Sequence, residues 1–196
     1  MSATGRPPST THAAIEAAAF ELFERRGFEQ TSIEDIAAAV GVGRRTIFRY
    51  FPSKNDIVWG DFDWVNQRLR KLLEESGEEV PLMEALRNAA VLSNHYPDEE
   101  LPALRLRLTL ITTVPALQAH SMLRYASWRS VVAEWAAARL GQDPTDLTPQ
   151  AIAHVALGAS MAAFTRWVEN PSEDLERCLE DAYGLLAAGF TVTERS

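Results

Sequence analysis

"AAAVGVGRRTIFRYFPSK", residues Ala37–Lys54, is the stretch on which the reading of this 196-residue chain turns. A tight turn between Gly41 and Gly43 runs straight into Arg44, Arg45 and Arg49, interleaved with Ile47, Phe48, Tyr50 and Phe51, and Pro52 stops the segment. Such a stretch is a solvated basic helix, a phosphate cradle or a surface that lies on DNA. The cradle fails on composition: "GVGRRT" lacks the third glycine of a dinucleotide fingerprint and the lysine of a Walker loop.

The neighbouring residues separate the remaining two readings. "TSIE" (Thr31–Glu34) has the form of a capping box, so a short helix is expected to about Val40, burying Ile33, Ile36, Ala37 and Val40. After the turn a second helix covers roughly Arg44 to Phe51 and ends at Pro52. Two short helices joined by a three-residue turn, small residues at their crossing and a basic-aromatic second helix are the sequence form of a helix-turn-helix. Arg44 and Arg45 fall on the first turn of the second helix, where arginine can pair bidentately with guanine. Thr46 offers a methyl or hydroxyl to a base edge, and Phe48 and Arg49 lie on the same segment. Tyr50 and Lys54 suit phosphate contacts, and the amides of Thr31 and Ser32 at a capped helix start form a further anion site.

A net charge of −8 argues at first against a nucleic-acid partner. Divided at Lys54, however, residues 1–54 hold seven basic and six acidic groups, net +1, whereas residues 55–196 hold 12 and 21, net −9. The acidity belongs to the larger C-terminal part and leaves the first segment free to sort its charges by face. Domains of 1–54 and 55–196 are expected.

Almost everything else reads as helix. Residues 1–11, rich in Gly, Pro, Ser and Thr, read as an arm, and His12–Arg26 carries an apolar stripe stopped by Gly27. A long helix is expected from Lys54 to about Glu75, then helices over 82–95, 99–113, 116–140, 149–169 and 173–189. "LRLRLTLI" (Leu104–Ile111) alternates like a strand but has no partner strand, and is read as helix. The fold class is therefore all-α: an N-terminal three-helix bundle followed by a larger helical domain.

"TSIEDIAAAVGVGRRTIFRYFPSKNDIV" resembles the signature of TetR-family transcriptional regulators over about the first 60 residues, and "RLRLTLITTVPAL" resembles the subset typified by the regulator of the mycofactocin cofactor system. The resemblance implies a homodimer reading a near-palindromic double-stranded DNA operator, most simply as a repressor, and released by a small-molecule effector. It implies an effector pocket among the central helices, for which Trp59, Phe62, Tyr96, Leu108, Ile111, Tyr125 and Trp128 are the candidates. Their apolar, aromatic character suits an amphipathic effector such as a fatty acyl-CoA, with Arg105, Arg107, Arg124 and Arg129 either meeting its anionic head group or solvated. It also implies a dimer bundle from the last two helices, with Ala153, Ala156, Leu157, Ser160, Phe164 and Tyr183 as candidates. Many members carry Ser or Thr where Gly43 stands, so one backbone contact to DNA is expected to be missing.

Catalytic chemistry finds no support. "GASMA" (Gly158–Ala162) is not a nucleophile elbow, and His12, His95, His120 and His154 are scattered. Cys178 stands alone and reads as a buried apolar side chain. No catalytic residue, metal or cofactor is expected. No apolar leader opens the chain and no run approaches the ~18 apolar residues of a spanning helix, so a cytoplasmic protein with no membrane partner is expected. The rival class is a helical small-molecule-binding or scaffold protein that keeps the helix-turn-helix only as packing.

Overall fold

The computed structural model describes residues 10–189, and these hold ten helices and no strand. The arm expected over residues 1–11 lies, for residues 1–9, outside them. The chain forms two compact units, the first from the residues up to Gly60 together with Pro102–His120, the second from Asp61–Leu101 and from Ser121 onward.

The first unit contains α1 (His12–Arg26), α2 (Ile33–Ala39), α3 (Arg44–Tyr50) and α4 (Lys54–Trp59), with α7 (Leu101–Thr113) and the opening of α8 (Pro115–Leu140). Thr11 caps α1 by accepting from the Ala14 amide at 3.1 Å. The α1 stripe (Ile15, Ala19, Leu22, Phe23) is buried with Phe28, Ile36, Ile47, Phe51, Ile57 and Val58. α1 packs on α2 and α4, and α2 on α3. "LRLRLTLI" is helical inside α7, where Thr109, Thr112 and Thr113 return their hydroxyls to carbonyls three or four residues back.

The single helix expected from Lys54 to Glu75 is corrected. It breaks after Trp59, and α5 (Phe62–Glu74) starts afresh. Gly60 takes φ +58 and ψ −147, a conformation a side chain resists, and Asp61 recaps the chain by accepting from the Trp64 amide at 3.0 Å. "WGD" is a stop-and-start signal that the apolar periodicity on either side concealed.

The second unit contains α5, α6 (Leu82–Ser93), most of α8, α9 (Leu147–Glu169) and α10 (Leu175–Ala187). α10 packs on both α9 and α6, and α6 on α5. At its centre Tyr183, with no exposed surface, donates to the Ala156 carbonyl at 3.1 Å and lies 2.9 Å from Ser160 Oγ. Burial pushes the phenol pKa up to about 12. Cys178 is buried, as read from sequence, and its thiol donates to Glu173 Oε2 at 3.2 Å. Among the described residues α9 is one helix long and apolar enough, by length and composition only, to span a bilayer.

Candidate nucleic-acid interface

The N-terminus of α2 is set one residue later than the sequence spacing suggested. Ser32, not Thr31, is the cap: its hydroxyl accepts from the Asp35 amide at 3.1 Å while the Asp35 carboxylate accepts from the Ser32 amide at 2.9 Å. The Ser32 hydroxyl holds the Asp35 carboxyl below its ordinary value of 3.8. Thr31 is buried, and its hydroxyl donates to the Gly27 carbonyl at 2.9 Å, closing the end of α1. Its amide donates to the Phe28 carbonyl at 3.3 Å. The anion site expected from the amides of Thr31 and Ser32 is therefore corrected, because both donors are already used inside the chain.

The turn into α3 is a complete Schellman closure. The Val42 amide donates to the Ala37 carbonyl at 2.9 Å and the Gly41 amide to the Ala38 carbonyl at 3.2 Å. This closure requires the positive φ of +69 at Gly41. Gly43 has an ordinary extended conformation, supplies no side-chain cap, and has open space where a Cβ would stand. Its glycine is thus a matter of residue choice, not of geometry.

α3 is short and sharply two-sided. Ile47 is fully buried and locks the helix to the bundle, while Arg44, Arg45, Phe48 and Arg49 share the exposed side. Spacings of one, four and five residues put these four on one face. Arg44 is pre-positioned: its guanidinium lies 2.8 Å from Glu34 Oε1 and 5.2 Å from the centroid of the Phe48 ring. The pair with Glu34, on the helix before the turn, was missed in the sequence because its ten-residue spacing becomes a contact only through the turn. Thr46, half-buried, lies off the exposed face.

Two expected phosphate ligands make bonds within the chain. Lys54 Nζ donates to the carbonyls of Phe28 at 2.8 Å and Thr31 at 2.9 Å and sits 4.1 Å from the centroid of the Phe28 ring. Partial burial lowers its pKa from 10.5, partly opposed by Glu29. It is a latch on the α1–α2 loop. Tyr50 donates its hydroxyl to the Thr10 carbonyl at 2.7 Å, with the His12 ring edge-on 4.8 Å away. These side chains find internal acceptors that a linear reading cannot see.

The family model for bacterial regulatory proteins of the tetR family matches residues 15–58, the helices just described, and the model for the MftR C-terminal domain matches residues 80–191. The chain belongs to the TetR family of transcriptional regulators. It is 40% identical over 189 residues to the mycofactocin biosynthesis transcriptional regulator MftR of Mycobacterium tuberculosis, covering 96% of each chain. Among solved structures, Thermus thermophilus FadR in complex with lauroyl-CoA aligns with a TM-score of 0.58 at 24% identity, over 94% of this chain and 97% of that one. FadR of Bacillus subtilis in complex with stearoyl-CoA aligns with a TM-score of 0.65 at 20% identity, over 91% and 99%. Both share the TetR fold.

In this TetR chain the remaining candidates are dispersed more widely than the sequence suggested. Of the effector set, Trp59 and Ile111 are core residues of the first unit and Leu108 is half-buried there; Phe62, Tyr96, Tyr125 and Trp128 are half-buried in the second. Burial pushes the Tyr125 pKa up to about 12. Arg68 lies over the Trp64 ring at 5.4 Å and 6.0 Å from Tyr96, and donates to the Leu92 carbonyl at 2.8 Å. Of the arginines, Arg107 is committed to internal acceptors. The dimer set is corrected by burial: Ala153, Ala156, Ser160 and Tyr183 are buried within one chain, so their side chains already have their partners. Leu157 and Phe164 are half-buried. The side of α9 left open runs through Ala151, Val155, Gly158 and Ala162, with Leu185 exposed on α10.

Proposed function

We propose that this TetR-family regulator is a cytoplasmic, dimeric repressor that reads a near-palindromic operator and is released by a long-chain acyl-CoA. One observation carries the DNA-reading part: Arg44, Arg45, Phe48 and Arg49 stand exposed on one side of a helix whose opposite side is anchored by the fully buried Ile47. Arginine on such a face pairs with guanine in the major groove, each bidentate pair being worth about 1–3 kcal/mol of discrimination. DNA reading is assigned to residues 1–54, and effector binding and dimerisation to residues 55–196.

The dimer face is the open stripe of α9, Ala151, Val155, Gly158 and Ala162, continued by Leu185, where small side chains let two helices approach closely. The amphipathic effector is supported by the half-buried aromatics Phe62, Tyr96, Tyr125 and Trp128 and by the acyl-CoA-bound fold neighbours. Release is read as a shift of α4, the helix that follows α3, by effector binding.

The test is a gel shift against DNA from the chain's own promoter region at several salt concentrations. Specific binding that weakens steeply with salt is expected, and Arg45→Ala should cost about 5–150-fold at the operator, the equivalent of 1–3 kcal/mol. Equal affinity for promoter and random DNA would overturn the regulator reading.

A further inference from the structure

α4 is only six residues long, yet it is gripped at both ends by the segment that α7 and the opening of α8 contribute to the same compact unit. At its C-terminal end Arg107 of α7 donates from one terminal nitrogen to the Val58 carbonyl at 2.7 Å. Its other nitrogen donates to Glu16 Oε1 of α1 at 3.2 Å, and the guanidinium lies 4.9 Å from the centroid of the Phe20 ring. At the N-terminal end His120 Nε2 lies 3.2 Å from Asp56 Oδ1, while Asp56 Oδ2 accepts from the Ser53 hydroxyl at 2.7 Å. Gly60 completes the arrangement. A Cβ there would come within 2.5 Å of both the Arg107 terminal nitrogen and Glu16 Oε1.

We propose that Arg107 is a positioning residue that carries effector occupancy to the DNA-reading helices, by tying α4 and α1 jointly to α7. The inference rests on the ligand-released reading above and names the residue through which release passes. The chemistry favours arginine here. Only a planar fork reaches a carbonyl on one helix and a carboxylate on another at the same time while stacking on an aromatic ring; a lysine has a single nitrogen. Arg107 and Glu16 are each 26% exposed, so the pair is partly shielded from solvent and its acceptors are left poorly compensated when it parts. That favours two discrete arrangements, gripped and released, over gradual yielding. Because α1 packs on α2 and α2 on α3, a displacement of α7 that pulls Glu16 and Val58 together reaches the recognition helix through packed elements. α8 begins in this unit with His120 and runs as one 26-residue helix that also carries Tyr125 and Trp128.

Two measurements on the full-length wild type, Arg107→Lys and Arg107→Met decide it. In the first, operator affinity is measured with and without stearoyl-coenzyme A. Wild type should lose affinity by about 5–150-fold, the usual range of allosteric coupling. Arg107→Met should bind the operator comparably without the acyl-CoA yet lose less than about threefold on its addition, with Arg107→Lys in between. A purely structural arginine would lower stability and leave the release ratio unchanged. In the second, hydrogen exchange follows operator binding with no effector present. Protection should spread in wild type from α4 to the Leu106–Leu110 amides, and stop at α4 in Arg107→Met, since coupling is reciprocal. Release of Arg107→Met equal to wild type, or equal spread of protection, overturns the proposal. If stearoyl-coenzyme A releases neither protein, the acyl-CoA reading fails and the exchange measurement alone decides the role of Arg107.

Discussion

Replacing Lys54 with methionine separates a phosphate ligand from an internal latch. The ammonium makes two charge-assisted bonds, to the Phe28 and Thr31 carbonyls at 2.8 and 2.9 Å, and lies over the Phe28 ring. Hydrogen bonds to charged groups contribute about 1.5–3 kcal/mol each and a cation over a ring about 0.5–2. The desolvation that lowers the Lys54 pKa opposes this, leaving a net loss of about 2–3 kcal/mol. For a chain of this size 1 kcal/mol shifts Tm by about 2–4 °C, so Lys54→Met should melt about 4–12 °C lower. The second assay is the salt dependence of operator binding. A phosphate ligand, once removed, takes about 0.9 per protomer off the slope of log affinity against log salt, whereas a latch leaves the slope unchanged. Arg45→Met is the contrast: exposed on the base-reading face, it should weaken operator binding and relax sequence specificity while leaving Tm within about 1 °C. A Lys54→Met protein with native Tm and a slope lowered by about 0.9 per protomer would refute the latch.

Other consequences follow from single contacts. Gly43→Ser should stabilise the chain by a few tenths of a kcal/mol, roughly the difference between glycine and serine caps, and tighten operator binding through one added hydroxyl; urea unfolding and a gel shift measure both. Tyr183→Phe removes the partner of the Ala156 carbonyl and of Ser160, and should cost about 1–3 kcal/mol in urea unfolding with no change in dimer dissociation. Gly158→Glu should fold normally, since a Cβ at Gly158 meets nothing within 4 Å, yet sediment as a monomer because the proposed face of α9 is blocked. The Asp35 carboxyl is depressed below 3.8, so its contribution is present above that value and is lost as pH falls through the lower folded value. Its NMR titration midpoint should therefore lie below 3.8, and Ser32→Ala should raise it.

The local devices of the helix-turn-helix were legible because each is encoded within a few residues. Gly41 supplies a left-handed turn, Ile47 an inward anchor, Pro52 a stop, and the one-sided placement of Arg44, Arg45, Phe48 and Arg49 follows from helical spacing alone. Legibility ended where two neighbouring choices satisfied the same local rule. Thr31 and Ser32 each have an acidic residue three positions on, and only the need of the Gly27 carbonyl for a donor draws Thr31 inward and leaves the cap to Ser32. On α9, small residues lie on several sides of the helix. The side that faces inward is chosen by Tyr183, whose buried hydroxyl must find Ala156 and Ser160.

The amino-acid sequence by itself determined an all-helical TetR-family regulator and the exposed basic face of its helix-turn-helix, because caps, turns and helical periodicity act over short stretches of chain. Only the tertiary structure decided that Lys54 and Tyr50 bond within the chain, that residues 102–120 pack in one compact unit with the helix-turn-helix, and that Arg107 grips α4 and α1 at once. Those outcomes depend on which carbonyls and carboxylates are brought within 3.2 Å from 23 to 91 residues away, as in the Lys54–Thr31 and Arg107–Glu16 contacts, and no local rule carries that information.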